Sequence, residues 1–315
     1  MFWYIFIPLF LLVAGGIGAM LYITLPIAKR VYKAQLVRTS PDIWGYTCSA
    51  PDNEEQMAMW EAGCRWAEEN RTAMREVAIQ NDGFDLFGEY YDFGHKRCVL
   101  ILPGRCESLM YSYYFAAPYQ AAGCNVLVID TRCHGRSGGT HASIGKKESR
   151  DVHAWARFVE KELGMESMCL HCICIGSASG VLAITSPDCP AVITDIIMEG
   201  CFTTFRESFR QHMIADHRPV FPVCDLVMWQ IKKHTGTNVL TSSPIANIHK
   251  VKNQRVLFLH GEKDIFSRPV QARRLFKKCS SADKKLVWFP KGGHSHLRIN
   301  NTADYDRAIA EFLNV

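Results

Sequence analysis

Six short apolar runs constrain this chain more than any other feature. They are CVLILP (98–103), NVLVID (125–130), MCLHCICI (168–175), AVITDIIME (191–199), RVLFLHG (255–261) and KKLVWFP (284–290). Each is the length of a strand, and stretches with helical spacing, such as 147–163, lie between them. A strand that is apolar on both faces must be covered on both faces. The pattern therefore predicts a mostly parallel sheet with helices on each side. Ahead of the first run, REVAIQN and LFGEYYD flank Asn81-Asp82-Gly83 and predict a hairpin. Residues 203–247, rich in aromatic residues, His and Pro, interrupt the alternation and read as an inserted cap.

The N-terminus obeys a different rule. From Met1 to Ala28 there is no Asp, Glu, Lys or Arg. About 20 apolar residues suffice to cross a bilayer. Phe2, Trp3 and Tyr4 suit an interfacial anchor, and no basic segment precedes the run as it would in a cleaved leader. A retained transmembrane helix over 1–28 is expected. Lys29, Arg30, Lys33 and Arg38 follow it at once. Taking those four from 36 basic residues leaves 32 against 31 acids, so the net charge of +5 is largely local. By the positive-inside rule the bulk of a single-pass chain then lies in the cytoplasm. Thirteen cysteines, several in strand-like runs, suit a reducing compartment. No basic stripe points to nucleic acid. Residues 29–74 read as a basic connection followed by an amphipathic helix at 52–70, and residues 75–315 as the globular domain.

In open α/β sheets, ligands bind at the carboxyl ends of the strands. Four strand ends carry suggestive residues: Pro103-Gly104-Arg105, Gly176-Ser177-Ala178-Ser179-Gly180, Glu262-Lys263-Asp264 and Gly292-Gly293-His294-Ser295-His296. A serine, an acid and a histidine thus follow in that order, each just past a strand.

On these residues the chain resembles the α/β-hydrolase superfamily over about 75–315. Asp130-Thr131-Arg132-Cys133-His134-Gly135-Arg136-Ser137 is similar to the family's D-x-R-G-H-G-x-S loop. HGEKDIFSRP (260–269) is similar to its acid loop, and GGHSH (292–296) to its histidine loop. The flavour resembles membrane-tethered esterases of the serine-aminopeptidase-like and monoacylglycerol-lipase-like kind. The resemblance implies a three-layer fold with a short cap, and a serine hydrolase that cleaves acyl esters.

The elbow pattern G-x-S-x-G presents its nucleophile on a strained strand-to-helix turn. Ser177 is the expected nucleophile, with Ser179, a small residue, at its +2 position; the −2 position is Ile175 rather than glycine. Ser179 as nucleophile would place Val181 at +2, where crowding is worst. His294 is the expected general base, with His296 as rival, and Asp264 would orient the ring. The amides of Ala178 and Arg105 would form the oxyanion hole. Pro103 stands where the family has histidine.

Cys172 and Cys174 form C-x-C with no second pair at zinc spacing, and read as alternate residues of a buried strand. No metal or cofactor is expected. Substrates would be small-molecule or lipid esters near the bilayer. A catalytically silent membrane scaffold and a peptidase or amidase with the same triad are the rival readings. Acyl length, head group and oligomeric state are not legible.

Overall fold

The computed structural model describes residues 2–314. The chain opens with α1 (Phe2–Leu36) and α2 (Glu54–Glu69), then β1 (Met74–Asn81), β2 (Phe84–Tyr91) and β3 (Arg97–Leu102). Short helices α3 (Leu109–Ser112) and α4 (Ala117–Ala121) lead to β4 (Asn125–Ile129), α5 (Glu148–Lys161), β5 (Ser167–Ile173), α6 (Ile175–Ile184) and β6 (Ile193–Glu199). Helices α7 (Phe205–Ala215), α8 (Val223–Thr235) and α9 (Pro244–Asn247) separate β6 from β7 (Arg255–Gly261). After that come α10 (Pro269–Lys278), β8 (Lys284–Phe289), α11 (Leu297–Asn300) and α12 (Thr302–Leu313).

The eight strands form one sheet in the order β1-β2-β4-β3-β5-β6-β7-β8. The β1–β2 hairpin and the β2–β4 pair are antiparallel, and every other pair is parallel. Asp82 and Gly83 both take positive φ at the hairpin turn, as a two-residue connection of right-handed twist requires.

Alternation along each strand builds two cores. Cys98, Leu100, Met168, Leu170, Met198 and Phe258 face the layer of α5, α6 and α10, around the fully buried Trp155. Val99, Ile101, Cys169, Ile197, Leu257 and Leu259 face the other layer, made by α2, the α3–α4 segment and α12. The expected three-layer architecture with a mostly parallel sheet is the observed one.

One difference concerns α1. The sequence places a polar connection from residue 29, yet the helix runs on to Leu36. Its last turns bury Ala28, Tyr32 and Leu36 against Phe205, Phe209, Val227 and Ile231 of the cap. The basic residues in this stretch lie on the outer face of a docked helix, so a charge run that reads as a linker is one side of an amphipathic turn.

The loop after β4 braces the sheet ends. Arg132 makes a bidentate pair with Asp151 of α5 at 2.5 and 2.6 Å, both almost wholly buried. Removing one partner of such a pair strands a buried charge. Arg132→Ala is expected to cost about 3–5 kcal/mol in urea unfolding. Arg136→Ala, which breaks the exposed pair with Glu76, is expected to cost below about 1 kcal/mol. Equal losses from the two variants would contradict this account.

Candidate active site

The turn from β5 into α6 decides the site. Cys174 stands between the two elements with φ 50° and ψ −108°, a conformation that costs a non-glycine residue about 1–3 kcal/mol. It is held there because its N–H donates to Glu199 O at 3.0 Å and its carbonyl accepts from Ser177 N at 3.1 Å. Two residues on, Gly176 lies against the end of β3. A Cβ built there would meet Leu102 O at 2.5 Å, so the +2 position admits only glycine. The elbow is therefore Cys172-Ile173-Cys174-Ile175-Gly176, and the residue at its apex is Cys174.

This places the serines elsewhere. Ser177 is fully buried one turn inside α6, and its hydroxyl donates back to Cys172 O at 3.0 Å, not to His294. Ser179 is buried further along the same helix. Ala178 is likewise buried in α6, beyond the free amides of the first turn. With Cys174 at the apex, the amide that follows the apex residue is that of Ile175. Of the residues chosen from the sequence, the structure brings Asp264 and His294 together and leaves Ser177 and Ala178 out.

The Asp264–His294 pair is closely specified. Asp264 Oδ2 lies 2.7 Å from His294 Nδ1, while Oδ1 accepts from the amides of Phe266 and Ser267 at 2.9 and 2.8 Å. Gly200 leaves room for the ring: a Cβ there would sit 3.0 Å from His294 Cε1. His294 Nε2 is buried without a fully formed hydrogen bond. The Cys174 side chain is close enough to act on the ring electrostatically. Burial alone would lower the imidazole, but the Asp264 carboxylate beside it outweighs burial and holds the ring well above its ordinary value. Burial would likewise raise Asp264, yet His294 pulls the carboxyl below the usual range. Each partner thus favours the charged form of the other. His296, the rival, points away: its ring nitrogens lie 2.8 Å from Glu55 Oε2 and 2.6 Å from Gln56 Oε1 on α2.

The loop after β3 completes the rim. Gly104 N–H donates to Glu107 Oε2 at 2.7 Å, and Cys106 N–H donates to His134 Nε2 at 3.3 Å. His134 can accept because burial pushes its ring down to about 4, leaving it neutral. Between these two pinned amides, the Arg105 N–H makes no hydrogen bond among the described residues. Its guanidinium is held by Gln35 Oε1 of α1. A small, water-sized cavity of about 20 Å³ is lined by Arg105, Gln35 and Ile175. Above, His212 of α7 stacks on Phe266 at 3.9 Å and meets His294 edge-on. No group of three metal-ligating side chains occurs among the described residues.

The arrangement offers a thiol at a helix N-terminus, where negative charge is favoured. It adds a charged imidazole facing the thiol, an acid behind the imidazole, and free amides on the far side. Such a set has the parts that nucleophilic attack on a carbonyl requires. The missed signal was in the sequence. C-x-C-x-G, directly at the end of an apolar strand, is the elbow pattern with sulfur at its centre.

No family model matches the sequence. The chain is 25% identical over 236 residues to an uncharacterized protein, YqkD, of Bacillus subtilis, covering 74% of this chain and 76% of that protein. It is 30% identical over 206 residues to protein Bem46 of Schizosaccharomyces pombe, covering 62% of this chain and 59% of Bem46. It thus spans less than two thirds of the Bem46 length. Among solved structures it is similar to the esterase Pf2001 of Pyrococcus furiosus, with a TM-score of 0.65 and 16% identity, covering 79% of this chain and 93% of the esterase. At that identity the likeness is one of fold, and the chain has the α/β-hydrolase fold.

Removing the Asp264 charge takes away the main attraction that raises His294. Asp264→Asn is therefore expected to lower the ring's pKa, so that the basic limb of the kcat/KM profile moves to lower pH. The maximum should fall on the order of a thousandfold. An unchanged basic limb would show that some other group sets it.

Proposed function

We propose that this chain of α/β-hydrolase fold is a membrane-anchored hydrolase that cleaves acyl esters through a covalent intermediate on Cys174. The observation that carries the reading is the apex position of Cys174, facing a histidine whose other nitrogen is held by Asp264 at 2.7 Å. In the first step the Cys174 thiolate attacks the ester carbonyl. The tetrahedral oxyanion is met by the amides of Ile175 and Arg105. The C–O bond breaks, and the His294 imidazolium gives its proton to the leaving alkoxide. Water then loses a proton to neutral His294 and attacks the thioester. The acid departs, and thiolate and imidazolium are restored.

The substrate class follows from surroundings. Cys174 and Ile175 pack on the cluster that contains Tyr32 and Leu36 of α1 together with Phe202, Phe205 and Phe209. The side chains packed around the reacting sulfur are thus apolar from α1 to the cap, surroundings that favour an acyl chain over a charged group. That helix is long and apolar enough to cross a membrane. The basic residues at its C-terminal end favour a cytoplasmic catalytic domain.

Steady-state hydrolysis of p-nitrophenyl esters by the full chain in nanodiscs tests the assignment. Cys174→Ala is expected to lose activity on the order of 10⁴-fold. Ser177→Ala is expected to stay within about threefold, since it removes one hydrogen bond from α6 back to the end of β5. Loss in Ser177→Ala with retention in Cys174→Ala would return the nucleophile to the serine. Absence of hydrolysis in the wild type, with esters of every chain length and with aminoacyl anilides, would favour a silent scaffold.

A further inference from the structure

We propose that the α7–α8 end of the cap is itself a membrane-docking surface, seated on the anionic headgroup layer beside α1. The proposal rests on the anchoring reading above. Its first support is the length of α1. About 20 residues at 1.5 Å each fill a hydrocarbon core of about 30 Å. The uncharged run is longer, reaching Ala28. Residues 6–19 are exposed on every side, and burial begins at Met20 and continues through Thr24, Ile27 and Ala28. The surplus turns are thus the ones that the globular part covers, and the domain begins where the hydrocarbon should end.

The second support is the direction of α8. The α1–α8 contact is the most extensive between any two helices among the described residues. Tyr32, one turn from the end of α1, stacks at 5.4 Å on His234, at the end of α8. Both helices stop at this level. The stripe Val220, Val223, Val227 and Ile231 shares a cluster with Ile27, Ala28, Val31 and Tyr32. Only one turn of α1 lies beyond Tyr32, so that stripe finds its partners on the N-terminal side. The two helices therefore run parallel, and the α7–α8 turn points back toward the apolar half of α1.

The third support is what the cap exposes along the end of α7, the connecting turn and α8. Phe221 is 73% exposed, Trp229 48% and Ile214 43%. Large apolar side chains left open together mark an interaction surface. Lys29, Arg30 and Lys33 of α1 and Lys232 of α8 are exposed and have no acidic partner among the described residues. Lys233 lies over the Trp229 ring at 5.3 Å. The nearby acids are already matched, Asp216 with Arg218 and Asp225 with Arg206. An exposed aromatic ring with a lysine over it, as at Trp229 and Lys233, suits an anionic bilayer surface rather than a dry protein interface.

Hydrogen exchange of the full chain tests this in nanodiscs of phosphatidylcholine with phosphatidylserine, compared with detergent. Amides of residues 214–222 are expected to exchange more slowly by about an order of magnitude in the nanodisc. The double variant Phe221→Ser, Trp229→Ser should lose that protection. It should remain in the membrane fraction and hydrolyse a water-soluble ester as the wild type does. An embedded chain whose turn exchanges equally fast in both media overturns the docking alone. Protection that appears in detergent on raising protein concentration also overturns it, by assigning the patch to a second copy. A chain that separates from the lipid overturns the anchor itself.

Discussion

The left-handed turn at Cys174 is the constraint from which the site follows. A cysteine at φ 50° persists only where its neighbours over-determine it. Here β5 delivers the chain from a fully paired central strand, Glu199 O takes the apex amide, and Gly176 lets α6 start against the end of β3. The thiol is thereby left half-buried at the carboxyl end of β5, between the two cores. The same strand ends place His294 and Asp264 within reach, because β6, β7 and β8 lie side by side in parallel register.

The charges around that point reinforce one another. His294 is raised and Asp264 lowered by their mutual attraction, against the burial that would neutralise both. Glu107 and Glu199, each pushed up to about 7 by burial, lie close enough to His294 to feel its charge. A positive ring among carboxyl groups is the natural counter-ion for a thiolate. The rim is fixed by a different logic. There, burial keeps His134 neutral so that it can accept a hydrogen bond from the loop that carries Arg105.

Much of this was legible before any coordinates. The apolar strand-length runs and the hairpin turn follow from local chemistry, which survives folding, and the acid and histidine loops were legible through the family resemblance. The identity of the apex residue did not. Within HCICIGSASG, hydrophobic periodicity runs through Cys174 without a break, so the strand reads as ending at residue 175 rather than at Ile173. Glycine is absent at the −2 position, where Cys172 stands, and its Sγ finds room only because Gly180 faces it. That compensation is tertiary. The docked end of α1 escaped for the same reason, since Tyr32 and Leu36 become core only when the cap is present. The end of the helix in consequence belongs to the globular part, for Gln35 reaches the Arg105 side chain at the site.

The central claim is that sulfur, not oxygen, carries the acyl group. Turnover of a slow ester quenched in acid, followed by fragment mapping of the peptide that spans residues 174–179, tests it directly. The account predicts an acyl mass on Cys174 that neutral hydroxylamine removes, as it removes a thioester. An adduct on Ser177 or Ser179 that resists neutral hydroxylamine would contradict it.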